Sequence, residues 1–255
     1  MADLLSDIHY FLLQERELFG ETLLIEAQPH TVTPMPRHRQ SPSENEPVLF
    51  EPPSVAPSDA AGGEAWGRAA TIDELEAAIC HCMKCSLGTT RTKFVFGVGN
   101  PRATFMLVGE APGADEDAQG EPFVGRAGQL LTKILEAIHF KRDEVFICNI
   151  LKCRPPGNRN PLPDEIDRCI PYLRRQVALV KPKLIVCLGL TAAESLLQTT
   201  EGLGKLRGRV LQYEGTPLMV TYHPAALLRN PNWKRPAWED VQAARKLHDE
   251  LVAKG

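Results

Sequence analysis

No apolar run in this 255-residue chain approaches the roughly 20 residues needed to cross a bilayer. The N-terminus also lacks a basic region followed by an apolar one, so no secretion signal is read there. Those two absences set the expectation of a cytosolic protein without a membrane anchor. Aromatic residues are scarce at 6%, yet hydrophobic residues reach 43% and charged ones an ordinary 24%. That balance excludes fibrous and wholly disordered chains and leaves material for one good-sized core. No internal repeat is present. What the chain does have is seven cysteines, which in an intracellular protein point to metal binding or buried thiols before disulfides.

Charge is unevenly spread. Residues 1–70 hold 11 acidic and 4 basic side chains and the remainder 21 and 25, so an acidic tail precedes a modestly basic domain. Such a domain suits a polyanionic partner. Within residues 1–27, Leu4, Leu5, Ile8, Phe11 and Leu12 are spaced for one face of an amphipathic helix. That helix either docks a protein partner or packs on the domain. From Pro29 to Pro57 the chain carries eight of its 21 prolines and few apolar residues. Such a segment cannot offset its own ordering entropy, so residues 28–70 read as a disordered linker.

The folded domain, residues 71–255, opens at Thr71-Ile-Asp-Glu74, a capping-box pattern. Short apolar runs at 104–108, 145–150 and 184–188 read as buried strands, and Leu130, Leu131, Ile134, Leu135 and Ile138 mark a helix with one apolar face. Further strands are expected at 209–213 and 218–222, and a closing helix at 238–252. This alternation predicts an α/β fold, three layers (α/β/α) around a central, mainly parallel four-stranded sheet. Three polar loops follow strands: Gly109-Glu-Ala-Pro-Gly113, Asn149 with Lys152-Cys-Arg-Pro-Pro-Gly-Asn-Arg159, and Tyr222-His-Pro-Ala-Ala-Leu-Leu228. Open parallel sheets bind ligands beyond the carboxyl ends of their strands, so these loops converge on one candidate site.

Cys82-x-x-Cys85 lets two thiolates grip one metal centre, and Cys153 and Cys169 add two more. Four thiolates suit a structural zinc or an iron–sulfur cluster, and the spacing alone does not choose between them. Cys80 ends an apolar helical face and reads as buried, as do Cys148 and Cys187 inside strand runs.

Together, Cys82-x-x-Cys85, the GEAPG turn with Gly120-Glu-Pro-Phe-Val-Gly-Arg-Ala-Gly-Gln-Leu-Leu131, Asn149 with KCRPPGNR, Cys169 and His223-Pro-Ala-Ala-Leu-Leu228 resemble the family 4, iron–sulfur uracil-DNA glycosylases. The resemblance runs from about Ile72 to Leu251 and leaves residues 1–70 outside it. It implies a [4Fe–4S] cluster on Cys82, Cys85, Cys153 and Cys169. The implied reaction flips uracil out of DNA, hydrolyses its N-glycosidic bond, and leaves free uracil and an abasic site. Phe123 is the implied stacking surface for the base, Asn149 its reader, and His223 the donor to uracil O2 as charge develops there. Leu227 or Leu228 is expected to wedge into the gap left by the base.

The water-activating group is open, because related family 1 enzymes carry an aspartate where this chain has Ala111. Glu110, Glu116 and Asn158 are the candidates to position water or stabilise the sugar, and Glu116 is also a candidate to crowd the C5 side and exclude thymine. Arg91, Lys93, Arg126, Lys152, Arg154, Arg159, Lys205, Arg207 and Arg209 are candidate phosphate contacts. The partner expected is uracil-containing DNA, single- or double-stranded, acted on by a monomer in a bacterial or archaeal cytosol. The rival reading is a non-catalytic uracil-DNA-binding iron–sulfur protein recruited through its N-terminal extension. Relatives that bond covalently to the abasic product carry a basic, histidine-containing loop, and Gly157-Asn-Arg-Asn-Pro161 does not match it.

Overall fold

The computed structural model describes residues 64–254; the expected helix of residues 1–27 and most of the 28–70 linker lie outside the described residues. Packing begins ahead of the capping box. A 3-10 turn, Ala65–Arg68, buries Trp66, whose ring meets Tyr172 edge-on at 5.0 Å. Residues 65–69 thus belong to the folded body rather than to the linker that composition suggests, because one large aromatic there has a partner to bury against.

Helix α1 (Ile72–Ile79) starts as its sequence dictates. Thr71 Oγ1 accepts the Glu74 N–H at 3.1 Å, and the Glu74 carboxylate accepts the Ala70 N–H at 2.7 Å. A single turn α2 (Leu87–Thr90) follows, then strands β1 (Val98–Gly99) and β2 (Phe105–Gly109), and helices α3 (Ala114–Gln119) and α4 (Arg126–Ala137). Strand β3 (Phe146–Asn149) leads through a turn at 156–158 into α5 (Pro163–Val180). Proline opens α5, where its missing N–H costs nothing. Next come β4 (Leu184–Leu188), α6 (Leu190–Leu197), α7 (Leu203–Leu206), the hairpin β5 (Leu211–Tyr213) and β6 (Thr216–Thr221), and helices α8 (Pro224–Arg229) and α9 (Lys234–Ala253).

The sheet order is β1-β3-β2-β4-β6-β5. Its inner four strands, β3, β2, β4 and β6, are parallel, as expected; β1 and β5 extend them antiparallel at either edge. The extra edges are short. β1 has two residues without apolar alternation, and β5 is held by a two-residue turn at Glu214 and Gly215, both with positive φ, the geometry that joins twisted hairpins.

Alternate residues of the strands serve opposite faces. Met106, Val108, Ile185, Cys187, Leu218 and Val220 join the core shared with α1, α5 and α6, whereas Phe105, Leu107, Val186 and Leu188 face α4, α8 and α9. Both faces are therefore covered, and the loops at the carboxyl rim remain open to a ligand. None of the described helices is long and apolar enough to cross a membrane.

Candidate active site

The end of β2 lies beside the end of β3, with Gly109 opposite Asn149. The pairing continues into the loops, where the Ile150 N–H donates to Gly109 O at 2.9 Å and the Leu151 N–H to Glu110 O at 3.0 Å. Strand β6 stops two residues before His223, the cap of α8. Between these ends opens a cavity of about 340 Å³. It is lined by Glu110, Ala111, Glu116, Phe123, Asn149, Asn158 and His223, so the structure brings together every residue expected to bind the base or to serve catalysis. Asn160 and Arg229 also line it; neither stood out in the sequence.

The floor is shaped for a flat polar ring. Asn149 is 2% exposed, and its Oδ1 has no hydrogen-bond partner among the described residues. A buried acceptor left this way costs about 1–3 kcal/mol until a ligand N–H meets it. Phe123 stands on the other side of the slot, its ring 5.5 Å from that of His223 and inclined by 32°. Gly109 keeps the slot open. A Cβ there would lie 2.4 Å from Asn149 Oδ1 and 2.6 Å from Phe123 Cζ.

Phe123 is held in the left-handed region at φ 55°, a conformation that needs support from its surroundings. Glu116 supplies it. One carboxylate oxygen accepts the Gly113 N–H, and the other accepts the N–H groups of Val124 and Gly125, each at 3.0 Å. Helix α4 closes in from below at Gly128, where a Cβ would fall 1.8 Å from Phe123 O. With both oxygens committed to backbone donors, Glu116 clamps the pocket walls instead of offering a free base.

His223 is oriented by its own helix. Its Nδ1 accepts the Ala225 N–H at 3.2 Å, so in the neutral ring the proton sits on Nε2. Burial, helped by the Arg229 charge and opposed by Glu116, pushes the imidazole down to about 4. The ring is consequently neutral at physiological pH and a hydrogen-bond donor through Nε2. Glu110 makes no side-chain hydrogen bond or ion pair among the described residues, in contrast to Glu116. Asn158, in the cavity lining, sits at φ 56° on an exposed turn, and its Oδ1 accepts from Arg154 Nε at 2.7 Å. Arg159, also in the lining, is fixed by a two-pronged pair with the buried Glu165 at 2.6 and 2.9 Å.

The structure separates the two wedge candidates. Leu227 is 2% exposed and packs under α8 against the apolar core, so it is not a wedge; Leu228, one residue on, is 40% exposed. Several expected phosphate contacts are also corrected. Lys152 is wholly buried, donating to Asn149 O at 2.8 Å and Gln176 Oε1 at 2.5 Å. Arg207 is tied to the buried Asp240 and Arg91 to the cysteine loop, whereas Arg209 pairs with Glu201 at the surface and stays accessible. Lys93, Arg126 and Lys205 remain exposed.

Behind the rim, Cys82 and Cys85 on the α1–α2 turn approach Cys153 after β3 and Cys169 in α5. Arg91 donates to Cys153 Sγ at 3.3 Å and to Cys82 O at 2.6 Å, the Lys152 N–H points at Cys169 Sγ at 3.4 Å, and Tyr172 Oη lies 3.2 Å from Cys82 Sγ. Burial, with a smaller contribution from Cys82, pushes the Cys153 thiol up and that of Cys169 up to about 12, a sign that the sulfurs are neighbours. Among the described residues no three His, Cys, Asp or Glu side chains close on a point as a single metal ion requires. A cluster binds each sulfur to a different iron and so needs a wider cage. Donors aimed at sulfur fit that kind of thiolate site. Cys80 is half-buried, not buried, and its thiol turns back to Ala77 O at 3.5 Å, away from this set. Cys148 and Cys187 are fully buried in strands, as expected.

The profile of the Uracil DNA glycosylase superfamily matches residues 96–242. The chain is 41% identical over 192 residues to the type-4 uracil-DNA glycosylase of Archaeoglobus fulgidus, covering 72% of this chain and 94% of that protein. It is 43% identical to the type-4 enzyme of Sulfurisphaera tokodaii, covering 69% and 84%. Identity falls to 32% with the type-5 enzyme of Pyrobaculum aerophilum, over 51% of this chain and 64% of that one. By sequence match, fold and site, the chain belongs to the uracil DNA glycosylase superfamily and, within it, to the type-4 family.

Proposed function

We propose that this chain is a DNA-repair glycosylase that flips uracil out of DNA and hydrolyses its N-glycosidic bond, releasing uracil and leaving an abasic site. The observation that carries this is the slot between Phe123 and the unpartnered Asn149 Oδ1, with the His223 ring on its edge. Uracil brings an N3–H for Asn149 Oδ1 and an O4 for its NH₂, whereas cytosine reverses that pattern. The flipped ring stacks on Phe123, and Leu228 occupies the vacated step in the duplex.

Cleavage leaves negative charge on the departing base. His223 Nε2–H donates to O2 and binds that charge more strongly than it binds the neutral ring, which lowers the barrier. The lowered proton affinity of the ring keeps it a neutral donor across the working pH range. Ala111 supplies no base, so water placement falls to the unpaired carboxylate of Glu110 and the NH₂ of Asn158. Glu116 acts by holding the Phe123 loop and, as a lining residue, narrows the space beside the base.

Cys82, Cys85, Cys153 and Cys169 would hold the [4Fe–4S] cluster, which when bound supplies a cross-link between the α1–α2 turn and the loop carrying Lys152 and Asn158. Hydrolysis transfers no electron, so its contribution is to shape. The glycosylase domain acts as a monomer in the cytosol, and residues 1–27 are the candidate segment for a protein partner.

Incubation with a uracil-containing oligonucleotide, followed by alkali, tests the reading. Strand scission with release of free uracil is expected. Binding without either would favour the non-catalytic alternative.

A further inference from the structure

Next to the uracil cavity, the structure holds an aromatic surface that the glycosylase chemistry above does not use. Trp233 ends the 3-10 turn Pro231–Trp233, directly after α8, and is 39% exposed. One ring face lies flat on Tyr222, with centroids 5.2 Å apart and planes only 13° from parallel. The Arg207 guanidinium lies over the Tyr222 ring at 4.4 Å, and its Nη1 reaches Tyr222 Oη at 3.3 Å. Arg207 is itself locked, paired with the buried Asp240 at 2.6 and 3.0 Å and donating to Pro236 O at 2.7 Å. Asp240 also accepts from Thr221 Oγ1 at 2.7 Å, which anchors the stack to the end of β6.

The guanidinium and the indole both pack on the Tyr222 ring, an arrangement that fixes the indole plane before any ligand arrives. An exposed tryptophan ordinarily costs the fold free energy in apolar surface left in water. Here it is immobilised and left open on its outer side. Its neighbours share one setting: Tyr222 is bonded to His223, and Leu228 and Arg229, both exposed, lie in the helix just before it. Arg229 reaches the cavity itself.

We propose that Trp233 is a nucleobase-stacking platform beside the cavity, taking the face of a base that is not stacked in a duplex. The proposal rests on the DNA-acting reading above. Every base has a π face and stacks on indole whatever its sequence, so the platform adds affinity without sequence preference. Two bases have that chemistry: one flanking the uridine in single-stranded DNA, or the base orphaned when uridine leaves a duplex.

The test uses the whole chain and oligonucleotides carrying a stable abasic-site analogue, so that no turnover intervenes. The chain's three tryptophans are Trp66, Trp233 and Trp238, and the first and last are buried, so quenching by a stacked base reports mainly on Trp233. Titration with the single-stranded oligonucleotide is expected to quench emission, and W233L should abolish most of that quench and weaken binding about five- to a hundredfold. W233F should restore most of the affinity, and both variants should keep the wild-type circular dichroism spectrum, W233L unfolding a few degrees lower for its lost stack on Tyr222. A loss confined to single-stranded DNA assigns a flanking base; a loss also seen in a duplex with guanine opposite the analogue assigns the orphaned base. Equal affinity of W233L and wild type in both arms, or a quench that persists in W233L, would overturn the proposal alone. Failure of the unaltered chain to bind any of these oligonucleotides would overturn the functional reading with it.

Discussion

Asn149 and Lys152 lie three residues apart after the same strand, both buried and both polar, and they are treated in opposite ways. Lys152 has its Nζ bonded to Asn149 O and to Gln176, whose amide NH₂ in turn donates to Phe96 O. Asn149 Oδ1, on the cavity side, has nothing. One polar group is spent on holding the loop and the other is held in reserve for a ligand. The contrast extends outward from these two. Behind β3 the cysteine site is rich in donors to sulfur and carbonyl groups, whereas in front of it stand Asn149 Oδ1, His223 Nε2 and the Glu110 carboxylate without a hydrogen-bond partner among the described residues. Of the buried side-chain atoms left unpaired there, Asn149 Oδ1 is the one that lines the cavity.

That division can be broken most strongly at His223. His223→Ala is expected to lower the single-turnover rate of uracil release by roughly 10²–10³-fold in a protein that still folds, with a drop of a few degrees in the thermal midpoint from the lost cap of α8. Near-full activity would mean that leaving-group stabilisation is not the main source of rate. Two neighbouring leucines give the next contrast. Leu227→Ala should cost about 2–5 kcal/mol of stability in a denaturant titration, and Leu228→Ala almost none. Activity on duplex DNA should fall for Leu228→Ala, with a smaller loss on single strands.

The central pair can then be tested directly. Asn149→Leu removes an unpaired acceptor and should leave stability unchanged or improved while destroying uracil excision. Lys152→Met strands two buried acceptors and should cost about 1–3 kcal/mol, seen as a drop of several degrees in the unfolding midpoint. If both variants destabilised equally, the distinction between reserved and spent groups would be lost. The smallest effect concerns pH. His223 titrates near 4 when folded and near 6.5 when unfolded, so the unfolded chain binds the extra proton between those values. Stability should therefore decline as pH falls through that window, less so in His223→Asn, while the single-turnover rate shows no inflection at 6.5. An inflection there would show the ring protonating in the working enzyme.

Much of this was legible in the sequence because the relevant signals are local. Apolar runs ending in polar loops place Glu110, Asn149 and His223 at strand ends, and a parallel sheet puts such ends on one rim. Cys148 and Cys187 could be set aside since they lie inside strands. Other features depend on three-dimensional detail that spacing does not encode. Leu227 and Leu228 differ only in which side of a six-residue helix they occupy, and that is fixed by how α8 packs on α4. Glu116 looks like any acidic loop residue until the backbone of 113 and 124–125 is seen to fold around it. Lys152 and Arg207 read as surface cations, and only their buried acceptors reveal otherwise. The edge strand β1 is too short to carry a periodic pattern, the strand expected at 209–213 is shorter than its run, and Trp66 gave no hint of its partner 106 residues away in α5.

Gly109 carries a consequence for how this protein can change over generations. Its α-hydrogen faces the slot where any methyl group would collide with the Asn149 amide and the Phe123 ring. No graded series of side chains exists between hydrogen and methyl, so selection has no intermediate sizes with which to tune ring binding at this position. A single codon change to alanine would leave the sheet, the clamp and the cysteine loop as they are and close the door on the base. Descendants that abandon uracil while keeping the fold have, at this one position, a one-step route to doing so.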